Sequence, residues 1–232
     1  MRLDKFLSNN GFGSRKDVKV LIKKKHVSIN DVVATKPEDN IDPFKDVVKV
    51  NGESIIYKEF YYFLLHKPKG YLSATEDNKQ NTVLDLLPEY NHLDLFPVGR
   101  LDKDTTGTLL ITNDGILAHS LLSPKRHVDK VYIATLDKEI DPNIKEPFET
   151  GIVLDGELTL PAKLEILNPH QAKVTLHQGK YHQVKRMFAN FGLEVVELHR
   201  EKFAFLDVNN LPVGKYRELT KEEEEEILKH KI

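Results

Sequence analysis

The sequence predicts an α+β fold in two domains, a small one over residues 1–59 and a larger one over residues 60–232. Three observations carry this reading. Apolar residues recur at helical spacing near the N-terminus, after residue 115 and again after residue 182. Between those stretches lie short runs of β-branched and aromatic residues with the two-residue alternation of strands. The segment from Asn51 to Glu59 reads as a linker between two such patterned regions.

Length and composition bound the function. A chain of 232 residues can bury a substantial core, and 40% hydrophobic with 30% charged residues is ordinary for a soluble protein. There is no cysteine, so disulfides, a thiol nucleophile and thiolate metal sites are excluded. No apolar run has the length of a membrane span, and the start Met1-Arg-Leu-Asp-Lys5 lacks the apolar core of a signal peptide. The expectation is a cytoplasmic protein with no membrane partner, monomeric by default. Net charge is −2, yet residues 1–30 hold eight Lys and Arg against only Asp4 and Asp17. A local basic face matters more for phosphate contact than the overall balance.

In the first domain, Leu3, Phe6 and Leu7 share one helix face, and Gly11-Phe12-Gly13 ends that helix. Ser14 caps a second helix, expected from Arg15 to about Lys25, with Val18, Leu21 and Ile22 inward. Arg15, Lys16, Lys19 and Lys23 decorate its other faces and are the candidate RNA contacts. As a solvated helix end, lysines there would simply suit the helix dipole. Val27-Ser-Ile29 and Val32-Val33 form a hairpin pattern around Asn30-Asp31, and Asp46 to Val50 reads as a further strand.

In the second domain, Phe60 to Leu65 reads as a strand. Lys67-Pro-Lys-Gly70 follows as a tight turn, whose Lys67 and Lys69 are candidate phosphate contacts. Asn81 to Leu87 looks helical. Phe96-Pro-Val98 is a strand end, and Gly99 to Gly107 is a polar loop holding Arg100, Asp102, Asp104, Thr105 and Thr106. Thr108 to Thr112 is a buried strand, and Asn113-Asp-Gly115 a turn. Ile116 to Leu122 is a helix. Lys130 to Leu136 alternates as a strand. Leu160 to Leu167, Ala172 to Leu176, Glu194 to Leu198 and Phe203 to Val208 complete the sheet pattern. A helix entered from Gly179 has Val184, Met187 and Phe188 inward, with Lys185 and Arg186 in its first turn. Cations there oppose the helix dipole, which points to an anionic partner. Thr220 caps a terminal helix whose glutamates suit its N-terminal turns.

Local chemistry leaves the polar loop open to three readings. Its aspartates can brace a turn by bonding their own backbone. Asp102-x-Asp104 also fits the acidic start of a phosphoryl-transfer site with magnesium, although Gly99-Arg-Leu101 interrupts the strand such a site needs. A calcium loop would need Glu at its twelfth position, where Asn113 stands.

Four stretches in order decide between them: Lys67-Pro-Lys-Gly70, Gly99-Arg-Leu-Asp-Lys-Asp-Thr-Thr-Gly107, Lys130-Val-Tyr132 and Gly179-Lys-Tyr-His-Gln-Val-Lys-Arg-Met-Phe188. Together they resemble the RsuA-type family of ribosomal RNA pseudouridine synthases. Residues 1–59 resemble the S-four-type RNA-binding domain, which carries Gly where Lys25 stands and Asn-Gly where Asn30-Asp31 stands. A second departure is Thr108, where the family usually has Leu.

The resemblance implies a catalytic domain with a central mixed, mostly antiparallel sheet flanked by helices. It implies isomerisation of uridine to pseudouridine in ribosomal RNA or a ribosomal assembly intermediate. Asp102 falls on the catalytic acid and Tyr132 on the active-site aromatic. Lys185 is the first candidate for the cation that keeps Asp102 ionised, and Arg186 the second. Arg100 would hold the flipped-out nucleotide, and Asp104 would brace the loop through backbone N–H groups. The reaction needs no metal or cofactor, and the ten histidines show no ligand spacing. The chain ends without a long basic tail, which favours the small-subunit RNA over the large-subunit RNA as substrate. The readings from other classes are a non-catalytic RNA-binding assembly factor and a magnesium-dependent phosphatase using Asp102 and Asp104.

Overall fold

The computed structural model describes residues 1–231. By internal packing the chain divides into two compact units, Met1–Phe60 with Pro88–Asp94, and Tyr61–Leu87 with the chain from Leu95 onward.

In the first unit, helices α1 (Leu3–Asn9) and α2 (Arg15–Lys23) precede strands β1 (Val27–Ile29), β2 (Val32–Val33), β3 (Val48–Val50) and β4 (Glu53–Ser54). The strands form one sheet in the order β2-β1-β3-β4. Leu3, Phe6, Leu7, Val18, Ile22, Val27 and Val48 form its core, as helical and alternating spacing require. Ser14 and Asp17 close a full capping box at the start of α2. That helix stops at Lys23 because Lys25 takes a left-handed conformation, φ 62°. Asn30 and Asp31 are left-handed too, at φ 49° and 66°. The non-glycine residues therefore keep the turn geometry that glycine would favour. Asn and Asp tolerate it, and Asn30 is fixed by accepting from Val47 N–H and donating to Asp46. The expected linker is only partly one. Glu53–Ser54 pairs with β3, and Ile55 and Tyr57 pack on the core, Tyr57 stacked 5.6 Å from Phe6.

The second unit is built on a nine-stranded sheet with helices against it. Its elements are β5 (Tyr62–Lys67), β6 (Phe96–Val98), β7 (Thr106–Thr112), α3 (Gly115–Leu122), β8 (Lys130–Leu136), α4 (Lys145–Thr150), and the β9 (Val153–Leu154) and β10 (Glu157–Leu158) hairpin. There follow β11 (Lys163–Asn168), β12 (Gln171–Leu176), α5 (Gln183–Ala189), β13 (Val195–Phe203), β14 (Leu206–Asp207), β15 (Tyr216–Glu218) and α6 (Lys221–Leu228). The main order is β11-β12-β8-β13-β7-β5-β15, with β6 on β7 and β14 on β13; β9 and β10 pair only with each other. Every pairing in the large sheet is antiparallel except β13 with β7, so the sheet is mixed and mostly antiparallel.

Burial along β8 alternates without a break, with Lys130, Tyr132, Ala134 and Leu136 on the inner face. Phe148 of α4 packs 5.0 Å from Phe188 of α5 and ties the two helices together. Asp114 caps α3, accepting from Leu117 N–H and from the Tyr62 hydroxyl.

Three expectations need correction. The two strands expected at 194–198 and 203–208 are one strand, Val195–Phe203, turning back into β14. The polar run His199-Arg-Glu-Lys202 hid its continuity, because Arg200 is buried. The helix expected from Asn81 to Leu87 is a single 3-10 turn, Val83–Leu86, capped by Thr82 and Asp85. The β9–β10 hairpin, α4 and β15 had no counterpart in the sequence reading. Among the described residues no helix is long and apolar enough to cross a membrane.

Candidate active site

The polar loop from Gly99 to Thr105 is held from below by the turn that follows β5. Lys67, fully buried, shares the three N–H groups of Nζ among the carbonyl oxygens of Pro68, Asp102, Lys103 and Thr105, at 3.1, 3.0, 3.3 and 2.8 Å. Ser73 Oγ accepts from Leu101 N–H and donates to Leu101 C=O, and Gly70 N–H donates to Lys103 C=O. Lys67 is therefore not a phosphate contact. It is the brace under the loop, and burial pushes its pKa down to about 8 against the raising effect of Asp104 and Asp102.

The far end of the loop is fixed by Gly107. It pairs with Arg200 at the one parallel contact in the sheet, with φ +113°. A Cβ there would lie 2.2 Å from the Arg200 carbonyl oxygen. Arg200, 1% exposed, donates from Nε to Thr108 C=O and packs its guanidinium 4.9 Å from the Phe203 ring.

This support presents the half-buried Asp102 carboxylate to the start of α5. Lys185 Nζ lies 3.2 Å from Asp102 Oδ2, and His182 Nε2 lies 3.3 Å from Oδ1. The same lysine donates to both Asp104 oxygens, at 2.7 and 2.9 Å. Asp104 was expected to bond backbone N–H groups. Its main partner is instead the Lys185 ammonium, which holds its carboxyl below the usual range. Burial opposes the charge on Lys185, but the hydrogen bonds to Asp104 and Asp102 outweigh it and raise its pKa. One ammonium therefore bridges the two carboxylates of the loop.

Asp102 opens onto a small cleft that is half open to solvent. Tyr132 lines it from β8, Leu176 and Leu198 form apolar walls, and the exposed Arg100 stands at its edge. Arg186, on the next position of α5, pairs with Asp155 of the β9–β10 turn at 2.6 Å. Lys180 pairs with Glu157 on the same hairpin. Lys69 is exposed and pairs with Glu197 at 3.1 Å. Arg15, Lys16, Lys19 and Lys23 are all exposed on α2 of the first unit.

The structure thus brings Asp102, Lys185 and Tyr132 together as the sequence reading expected. It adds His182, Thr105 and Gln178, which that reading left aside. For His182 a signal existed, because it stands three residues before Lys185 at the mouth of a helix, so the two share one face. Its ring also stacks 3.8 Å from the exposed Tyr181. For Gln178 the alternation running out of β12 places it on the face of Leu176.

Comparison with known proteins agrees with this geometry. Residues 61–190 match the family model described as RNA pseudouridylate synthase, and residues 1–48 match the S4 domain. An uncharacterised RNA pseudouridine synthase of Bacillus subtilis is 47% identical over 230 residues, covering 96% of each chain. The ribosomal small subunit pseudouridine synthase A of Vibrio cholerae is 42% identical over 232 residues, covering 99% of this chain and 100% of that one. The ribosomal large subunit pseudouridine synthase B of Bacillus subtilis is 39% identical, covering 96% and 93%. A crystal structure of a pseudouridylate synthase superposes with a TM-score of 0.68 at 36% identity, covering 98% of this chain and 99% of that one. The chain belongs to the RNA pseudouridylate synthase family and carries an S4 domain at its N-terminus.

Proposed function

We propose that this enzyme converts one uridine of small-subunit ribosomal RNA to pseudouridine, with the Asp102 carboxylate acting on the sugar as nucleophile or as base. The observation that carries the role of Asp102 is its placement. It is half-buried at the foot of a cleft, with Lys185 and His182 within 3.3 Å and Tyr132 on the neighbouring wall. Either role acts through the carboxylate oxygens, and the Lys185 ammonium lies beside one of them. Tyr132 stacks on the uracil after the base has left its helix. Stacking on an aromatic returns about 1–3 kcal/mol, comparable with the cost of extrusion. Arg100, at the cleft edge, holds the flipped-out backbone.

In this reading residues 1–59 form the RNA-binding domain and residues 60–232 the catalytic one. The exposed Arg15, Lys16, Lys19 and Lys23 of α2 meet RNA phosphates. The enzyme acts in the cytoplasm on ribosomal RNA or an assembly intermediate. The choice of small-subunit RNA rests on the similarity over the full chain to relatives named for that subunit. Mapping pseudouridine in both ribosomal RNAs of a deletion strain tests it. Loss of a single small-subunit pseudouridine, restored by the wild-type chain, is the expected result. Loss confined to large-subunit RNA would overturn the choice of substrate while leaving the reaction intact.

A further inference from the structure

Two polar side-chain atoms that line the cleft have no partner within the protein. Gln178 is 9% exposed and Thr105 1% exposed, yet the Gln178 Nε2 and Thr105 Oγ1 atoms make no hydrogen bond. Buried polar atoms are almost always paired, so two unpaired ones on residues that line one cleft point to a partner from outside the protein. The other buried glutamine of the cleft behaves differently. Gln183 accepts from Lys180 N–H and donates from its amide nitrogen to Met187 Sδ, so both ends of its carboxamide have a partner.

The chemistry of the missing partner follows from the group that is left open. A carboxamide carries a donor and an acceptor side by side. The free edge of a flipped uracil carries an N3–H beside a carbonyl oxygen, which is the complementary pattern. Leu176 and Leu198 form the apolar walls, and Tyr132 supplies the flat ring. Enzymes that extrude a base read it through that edge.

We propose that Gln178 is the base-reading residue of this site, its carboxamide accepting from uracil N3–H and donating to the adjacent carbonyl. The proposal rests on the pseudouridine synthase reading of the cleft. It also explains why the amide stands unpaired in the free protein. The amide is left without a partner in the free protein at the expense of stability.

The test uses the full-length protein, the near-isosteric variant Gln178→Met, and small-subunit RNA fragments carrying the mapped uridine. The target position holds uridine, 2-thiouridine or 4-thiouridine, each thiocarbonyl being a weaker acceptor. Gln178→Met is expected to lose about tenfold to a hundredfold in kcat/KM on uridine. Its Tm should be higher than that of the wild type, because an unpaired buried amide has been removed. One thio analogue should slow the wild type and leave the variant no slower than it is on uridine. A variant that matches the wild type on uridine would overturn the proposal. So would losses from variant and analogue that simply multiply, or a lower Tm, which would mark a structural role. If the variant failed to fold, equal wild-type rates on all three RNAs would still overturn it. Absence of pseudouridine formation by the wild type would instead sink the functional reading itself.

Discussion

Lys185 Nζ lies 3.2 Å from Asp102 Oδ2 while hydrogen-bonding Asp104 at 2.7 Å, so one ammonium on α5 joins both acids of the loop. The ordering has a direct consequence. Without the lysine, two carboxylates would face each other beside His182 with no fixed cation. Lys185→Met should therefore lower kcat by about tenfold or more, with a smaller change in KM. The sign of the pH effect follows from Asp104, whose carboxyl is held down chiefly by its hydrogen bond to Lys185. A depressed carboxylate stabilises the fold above its unfolded pKa, and that contribution is lost as pH falls through the folded value. The variant should lack this part of the acid limb. Denaturant titrations of both proteins between neutral and acidic pH check it.

Lys67→Met should destabilise the protein by roughly 3 kcal/mol, because it leaves buried carbonyls of the catalytic loop without their donor. The effect depends on pH. Lys67 is pushed down from 10.5 to about 8, so between those values the unfolded chain binds more protons than the folded one. Wild-type stability from this group rises with pH across that window, as the cost of burying the charge is relieved. The methionine variant should lack that slope. Urea titrations at pH values near 7.5 and 10 measure it, and a variant with unchanged stability at both would contradict the bracing role.

Gly107→Ala should be among the most damaging single changes, at roughly 3 kcal/mol or more. The added carbon would sit 2.2 Å from the Arg200 carbonyl oxygen, and φ is +113°. β7 and β13 would have to separate where they run parallel. Thermal unfolding of the purified variant checks it. A Tm within a few degrees of the wild type would show that the sheet gives way there more easily than the geometry implies.

How much of this was legible in the sequence depends on the range of the interaction that determines each element. β8 and α2 could be read in place, because an alternating run and a capped amphipathic turn declare themselves locally. Asp102, Tyr132 and Lys185 came from spaced motifs, and the fold brings all three to one site. The burial of Lys67 is not legible locally, because a lysine beside Pro-x-Gly reads as an exposed turn residue. Its burial comes from a loop that returns to cover it from 35 residues further along. The strand through Arg200 is obscured for the same reason, since a buried arginine whose Nε bonds a distant carbonyl looks like a polar interruption. The supposed linker hid an edge strand too short to show a period.

The basic helix α2 should act through phosphate. Changing Lys16, Lys19 and Lys23 together to Gln should leave the fold intact, since all three are exposed. It should weaken binding to ribosomal RNA similarly for any sequence. For every phosphate that the variant no longer neutralises, the salt slope should become shallower by about 0.7 to 0.9. An unchanged slope would show that this face does not meet RNA.

The role of Asp102 is tested most directly by a single-turnover assay of pseudouridine formation with Asp102→Asn on the natural ribosomal RNA. The substitution keeps the shape of the side chain and removes the charge that Lys185 and His182 surround. The expected result is no detectable pseudouridine, with RNA affinity and Tm close to those of the wild type. Product formed at about a tenth of the wild-type rate or faster, a barrier change of only ~1.4 kcal/mol, would contradict the assignment of Asp102 as the catalytic group.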